Sequence, residues 1–114
     1  MPYLKIQSNI AIDDTATARL LAEASKRVAH ELGKPESYVM VALEPPQSML
    51  FAGSNAPLAY LELKSIGLTE SKTPALSAAL CNLIEEQLAI PTARIYIEFV
   101  DAPRAMWGWD NGTF

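Results

Sequence analysis

One pattern of strand, helix and strand occurs twice in this chain, with corresponding positions 56 residues apart. Leu4 in the first copy corresponds to Tyr60 in the second, and Pro35 corresponds to Pro91. Two units of this kind, each with parallel strands joined by a right-handed helix crossover, can share one sheet. The repeat therefore predicts a fold made of two related halves.

The first copy begins with a predicted strand from Pro2 to Ser8, in which apolar and polar residues alternate. The sequence Asp-Asp-Thr at 13–15 offers N-cap oxygens for a helix, and Gly33 followed by Pro35 ends it. The apolar run from Tyr38 to Glu44 predicts a strand covered on both faces. The predicted buried face of the helix consists of Leu21, Ala24, Val28 and Leu32.

The second copy repeats this order with strands around residues 60–62 and 95–97. Its helix follows Thr73 and Pro74, and the predicted buried face consists of Leu76, Leu80, Leu83, Ile84 and Leu88. The last residues, 106–114, place aromatic side chains around an Asn-Gly turn signal at 111–112. We expect a short hairpin there that docks on a neighbouring copy or closes a pocket.

We therefore expect one α+β domain over residues 1–114, with a four-stranded sheet and both helices on one face. The other face of the sheet would remain uncovered. The residues expected on that face include Met40, Ala42, Tyr60 and Tyr96, which are too apolar for full exposure to water. Copies of the chain are expected to pack there.

Composition argues against several classes of function. The net charge is -4, the pI is about 4.9, and the basic residues are scattered, so we expect no nucleic-acid or membrane partner. Neither an apolar run long enough to span a bilayer nor a signal-peptide pattern is found. We expect a cytoplasmic protein, with export by a route without a signal peptide left open. With only Cys81 and His30 as soft ligands, no metal or other cofactor is expected.

Pro2 is the residue best placed to do chemistry, because removal of Met1 would make its nitrogen a free terminal amine. Terminal amines have pKa values of roughly 7.7–8, and burial among apolar groups lowers them further. A neutral amine of this kind can remove a proton from carbon near neutral pH. Position alone also fits a proline that merely starts a strand.

The order of several short motifs connects this chain to a known family. The motifs are Pro2, Gly33-Lys34-Pro35, Pro57, Ser65-Ile66-Gly67, Arg94-Ile95-Tyr96-Ile97 and the ending Gly108-Trp109-Asp110-Asn111-Gly112-Thr113-Phe114. From end to end, the chain resembles the macrophage migration inhibitory factor family of the tautomerase superfamily. The resemblance implies a homotrimer with active sites between subunits. It also implies an isomerase that interconverts keto and enol forms of aromatic 2-oxo acids such as phenylpyruvate.

The resemblance also implies roles for individual residues. Pro2 would be the base, Lys34 would bind the carboxylate and keto end, and Ile66 would contribute its backbone. Tyr96 would come from the adjacent subunit and border the aromatic ring of the substrate. Each has a plainer alternative: a lysine suits a helix C-terminus, isoleucine suits a core, and tyrosine suits an interface.

Other positions depart from the family or are less specific. Glu98 stands where animal members have asparagine, and an ionised carboxylate accepts hydrogen bonds without donating them. It would weaken binding of an anionic or phenolic substrate, or pair with Lys34 of another subunit. The residues expected to wall the pocket, or to serve as plain interface, are Tyr38, Trp107, Trp109 and Phe114.

The alternative to an enzyme is a trimer that binds a receptor, as cytokine members of the family do, or a scaffold with no chemistry. The animal proteins carry a Cys-x-x-Cys pair linked to a thiol oxidoreductase activity, and here Leu58 and Leu61 stand in its place. That activity needs a thiolate and is expected to be absent. The retained Pro2, Lys34, Ile66 and Tyr96 favour the enzyme.

Overall fold

Both strand-helix-strand units expected from the repeat are present in the computed structural model, which describes residues 1–114. The elements in chain order are β1 (Tyr3–Ser8), α1 (Asp14–Leu32), β2 (Met40–Leu43), β3 (Ala59–Ile66), α2 (Thr73–Leu88), β4 (Ile95–Ala102), β5 (Gly108–Trp109) and β6 (Gly112–Thr113).

The order of strands in the main sheet is β2-β1-β3-β4. Strand β1 runs parallel to β2, and β3 runs parallel to β4, because in each unit a helix returns the chain to the same end of the sheet. The two units join where β1 pairs antiparallel with β3. This arrangement confirms the predicted α+β fold with a four-stranded sheet and two helices.

The core lies between the helices and one face of the sheet, because alternate residues of β1 and β3 point to that side. All five predicted positions of α2 are buried. On α1, Leu20 is fully buried and Leu21 only partly, so the predicted face was wrong by one residue at its start. A spacing of four residues back from Ala24 leads to Leu20, whereas Leu21 lies about 100° further around the helix.

The prediction for the second strand was wrong in its extent and its burial. Residues Glu36–Tyr38 form a 3₁₀ turn after Pro35, and strand pairing begins where the Met40 N–H donates to the Pro2 carbonyl at 3.0 Å. Within the chain, β2 is an edge strand, and Met40 remains 66% exposed. An all-apolar run does not distinguish a strand covered by its own helices from one that a second chain covers.

The expected hairpin is present at the end of the chain, where β5 pairs antiparallel with β6. Asp110 and Asn111 occupy the turn with φ values of 50° and 65°, which is the left-handed conformation required at both centres of a type I′ turn. The turn therefore centres one residue earlier than the Asn-Gly signal indicated. No helix of the structure is both long enough and apolar enough to cross a membrane.

Candidate active site

Three segments that are distant in sequence meet at the end of the sheet where β1 begins and β3 ends. They are the N-terminus, the segment after α1, and the C-terminal hairpin, which line adjoining cavities together. Pro2 lies at the centre of this region and is fully buried. The antiparallel pairing of β1 with β3 places the N-terminus beside the end of β3, because the start of one strand lies next to the end of the other.

Lys34 is held against the end of β3. The helix α1 ends at Gly33, whose φ of 63° is left-handed, and the Lys34 N–H caps the helix by donating to the Ala29 carbonyl at 3.0 Å. The side-chain Nζ then donates to Ser65 Oγ at 3.0 Å and to the Ile66 carbonyl at 2.5 Å. No carboxylate of the chain forms an ion pair with Lys34, so its full positive charge faces the cavity.

The terminal amine on Met1 has an unusually low pKa. Burial is the largest cause, followed by the charge and the hydrogen bond of Lys34, and then by the charge of Arg104. Together they lower the pKa from 8.0 to about 6. The amine of Met1 is therefore largely neutral at pH 7, which is the state that a general base requires.

Aromatic side chains form the opposite wall of this region. Tyr38 meets Trp109 edge-on with ring centroids 6.2 Å apart, and Trp109 stacks on Phe114 at 5.4 Å. The Phe114 N–H donates to the Trp107 carbonyl at 3.2 Å, which ties the chain end to the hairpin. All four aromatic residues proposed as pocket walls therefore lie at this end of the sheet.

Two cavities of about 430 Å³ each adjoin at Met1, Tyr38 and Phe114, which line both. The first is mostly apolar and contains Pro2, Tyr3, Ser37, Val39, Met40, Trp107, Gly108 and Trp109. The second is cationic and contains Lys34, Pro35, Ile66, Gly67 and Arg104. Neither lining includes an aspartate or glutamate, although the chain has thirteen acidic residues. The region thus provides an aromatic compartment beside an anion-binding one.

A larger cavity of about 670 Å³ lies elsewhere, between Asn9, Asn55 and residues 46–50. Its lining has no titratable side chain, and Asn9 is already engaged with the Asn55 carbonyl and the Leu58 N–H. It offers neither a base nor a charge for chemistry, so the smaller paired cavities are the better candidates.

Tyr96 and Glu98 do not join this region within one chain. Tyr96 lies at the start of β4 and pairs with Tyr60, which in turn pairs with Gln7 of β1. Gln7 is five residues from Pro2, or roughly 17 Å along the strand. Tyr96 is 65% exposed and contacts Phe51 with ring centroids 4.6 Å apart.

Glu98 belongs to a charged network on the face of the sheet that the helices leave open. The Tyr60 hydroxyl lies 3.1 Å from a carboxylate oxygen of Glu98 and 3.1 Å from one of Glu62. Lys5 pairs with Glu62 at 3.3 Å and with Glu44 at 3.8 Å. The open face was expected to be apolar, and this network was not predicted, because its members lie on β1, β3, β4 and the segment just after β2.

Tyr60 should ionise only in strong alkali. Burial and the two neighbouring carboxylates raise its pKa from 10.0 to about 12. Because the folded-state pKa is above the unfolded one, the hydroxyl stabilises the fold at pH values below 10 and loses that effect between pH 10 and pH 12.

We expect the ultraviolet titration of the wild type to contain one late tyrosine transition that Tyr60→Phe lacks. Glu62→Gln combined with Glu98→Gln should move it to lower pH, and a Tyr60 transition near pH 10 would contradict the network.

Sequence reasoning missed two contributors to the candidate site, Ser65 and Arg104. Ser65 is fully buried on β3, where a hydroxyl beside Lys34 has no local sequence signal. His30 is exposed, and Cys81 is half-buried against the core, where burial raises the pKa of its thiol. No group of three or more His, Cys, Asp or Glu side chains is arranged to hold a metal ion.

Comparison with known proteins identifies the family. Residues 1–114 match the family described as macrophage migration inhibitory factor (MIF). A homologue of that factor from Brugia malayi is 42% identical over 115 residues, covering 100% of this chain and 99% of the relative. The crystal structure of a homologue from Prochlorococcus marinus superposes with a TM-score of 0.92 at 43% identity, covering 98% of each chain.

A further solved structure, of a protein inactivated by 2-oxo-3-pentynoate, superposes with a TM-score of 0.86 at 30% identity, covering 96% of this chain and 93% of the other. The match of the whole chain to one family, at this identity and with the same fold, leaves no other assignment. The chain belongs to the macrophage migration inhibitory factor family, within the tautomerase superfamily.

Proposed function

We propose that this protein is a keto–enol tautomerase of phenylpyruvate-like aromatic 2-oxo acids, with the amine of Pro2 as the general base. The proposal rests chiefly on the pair of cavities around the N-terminus, one aromatic and one cationic. An aryl 2-oxo acid has the matching parts: an aromatic ring, a carboxylate, and between them the carbon that loses a proton. Residues 1–114 would act as a single domain of this type.

The first step transfers a proton from C3 of the substrate to the Pro2 nitrogen. The electron pair of the broken C–H bond forms the C2–C3 double bond, and the electrons of the carbonyl π bond move onto the 2-oxo oxygen. Lys34 stabilises the negative charge that develops there, and its hydrogen bonds to Ser65 and Ile66 hold the ammonium in place before the reaction. The proton held on the Pro2 nitrogen then passes to that oxygen, which gives the enol and restores the neutral amine, and the reverse sequence returns the keto form.

The role proposed for Ile66 is carried by its carbonyl oxygen, which accepts the hydrogen bond from Lys34. Tyr38, Trp107, Trp109 and Phe114 would surround the aromatic ring. Such a wall excludes water and favours the neutral amine, since burial disfavours the ammonium form.

A homotrimer would complete the site. Tyr96 and Glu98 are too distant from Pro2 in the same chain to contribute to its pocket. Met40 and Tyr96 are exposed on the open face of the sheet, and packing against other copies of the chain would remove these large apolar side chains from water. In that assembly Tyr96 would border the ring of the substrate. Glu98 accepts a hydrogen bond from the Tyr60 hydroxyl, and in that assembly it would place a hydrogen-bond acceptor rather than a donor beside the substrate.

The relative inactivated by 2-oxo-3-pentynoate supports the substrate class. That compound carries a carboxylate next to a keto group, as phenylpyruvate does. Inactivation of a related protein by such a 2-oxo acid is consistent with binding of a 2-oxo acid in the cationic cavity of this one.

The test is a spectroscopic assay of phenylpyruvate tautomerisation as a function of pH, on protein whose mass shows that Met1 is absent. We expect kcat/KM to rise with pH through a midpoint below 8.0, the ordinary pKa of a terminal amine, because only the neutral amine accepts a proton. A flat profile would exclude an amine base. Absence of activity at every pH would favour the alternative, a receptor-binding trimer with little or no catalysis.

A further inference from the structure

The cationic cavity contains a second positive side chain, Arg104, for which the proposed mechanism has no role yet. Arg104 lies in the 3₁₀ turn Arg104–Met106, between β4 and the C-terminal hairpin. Backbone hydrogen bonds close this turn, from the Met106 N–H to the Pro103 carbonyl at 3.0 Å and from the Trp107 N–H to the Arg104 carbonyl at 3.2 Å. The base of the Arg104 side chain is therefore in an ordered position.

Two other arginines, Arg94 and Arg27, already bind acceptors within the chain. Arg94 donates to four backbone carbonyls of residues 51–57, and Arg27 pairs with Glu86 at 2.5 Å. The Arg104 guanidinium, in contrast, has neither an ion pair nor a side-chain hydrogen bond in the chain, although it is one of only two cations in the cavity. Two cations without an ion pair thus lie together in a cavity whose lining includes no aspartate or glutamate, in a chain of net charge -4.

We propose that Arg104 binds the carboxylate of the 2-oxo acid, which leaves Lys34 to stabilise the 2-oxo oxygen. This division of roles follows from the shapes of the two groups. A guanidinium presents a planar fork that fits both oxygens of a carboxylate, whereas an ammonium is a point charge suited to a single oxygen. Of the two cations, Lys34 is the one whose position is fixed by hydrogen bonds within the protein. A donor fixed in advance is best suited to stabilise the 2-oxo oxygen, because negative charge develops there in the transition state.

The inference deepens the proposed function and rests on it for the identity of the substrate. It makes a distinct kinetic prediction, because the carboxylate keeps its charge throughout the reaction. Arg104 would then bind the ground state and the transition state equally, so Arg104→Gln should raise KM for phenylpyruvate with kcat nearly unchanged. The methyl ester of phenylpyruvate has no carboxylate, so its KM should not respond to the substitution.

A binding experiment tests Arg104 without requiring catalysis. The only tryptophans, Trp107 and Trp109, both line the aromatic cavity, so their fluorescence reports directly on ligand binding there. The probes are 3-phenylpropanoate, an unreactive carboxylate, and its neutral amide. We expect Arg104→Gln to weaken binding of the acid about 10- to 100-fold, the usual effect of losing a charged hydrogen bond, and to leave the amide unaffected. Arg19→Gln, on α1 outside both cavities, is the matched control.

The outcomes separate the two proposals. Equal affinity of the wild type and Arg104→Gln for the acid, or equal weakening of acid and amide, would overturn the role of Arg104 while leaving the tautomerase proposal intact. If Arg104→Gln weakens binding of the acid but not of the amide, and the wild type shows no tautomerisation, Arg104 is supported as an anion-binding residue and the proposed reaction is overturned. Partial rescue of acid binding by Arg104→Lys is expected, since the charge remains but the fork is lost.

Discussion

Protein that retains Met1 is expected to tautomerise phenylpyruvate at least about 100-fold more slowly than protein that begins at Pro2, because general-base catalysis contributes about 10²–10⁴-fold. With Met1 attached, the Pro2 nitrogen belongs to a peptide bond and has no basic lone pair. The retained form still carries a terminal amine with a pKa of about 6, which is largely neutral at pH 7. The loss would therefore report on the position of the nitrogen, displaced by one residue, rather than on its basicity.

Pro2→Gly is the companion variant, because its terminal amine stays at the correct position but loses the ring. Pro2 is fully buried, so glycine leaves a void and a backbone that rotates freely. We expect a smaller loss than in the form that retains Met1, together with an unchanged fold by circular dichroism. Mass spectrometry of each preparation establishes its N-terminus. Equal activity in all three proteins would exclude the amine as the base and favour a binding function.

Lys34→Met is expected to lower kcat for phenylpyruvate by roughly 10²–10³-fold, the usual effect of removing one group that stabilises a developing oxyanion. Methionine is similar to lysine in length but carries no charge. Because the charge and hydrogen bond of Lys34 help to lower the pKa of the terminal amine, its removal should also shift the midpoint of the pH profile upward. A purely structural role would lower activity without moving the midpoint.

Lys72→Met is the matched control for this variant. Lys72 also donates from Nζ to a backbone carbonyl, that of Leu32 at 3.3 Å, but it lies outside both cavities. We expect it to leave kcat and the pH midpoint unchanged. In Lys34→Met, Ser65 Oγ and the Ile66 carbonyl lose the donor of their hydrogen bonds, which should lower the stability of the fold. Thermal unfolding of both variants measures this loss of stability separately from the loss of activity. Equal losses of activity in the two variants would contradict the role of Lys34.

The sequence by itself determined the repeated strand-helix-strand order, and with it the sheet of four strands and the face that α2 buries. These features depend on local periodicity: a period of two along β1 and β3, and spacings of three and four along α2. The same local signals placed the left-handed Gly33 at the end of α1 and a hairpin near Asn111. Periodicity was least informative at β2, where an apolar run does not say which surface covers it.

Only the tertiary structure decided which polar groups face one another. The antiparallel pairing of β1 with β3 brings the N-terminus beside the end of β3, where Lys34 is held. The 3₁₀ turn after β4 adds Arg104, and the hairpin adds part of the aromatic wall. The fold also separates Tyr96 and Glu98 from that region and joins Glu98 to Tyr60 instead. These contacts connect residues far apart in sequence, and their energies depend on distance and burial, which no local pattern encodes.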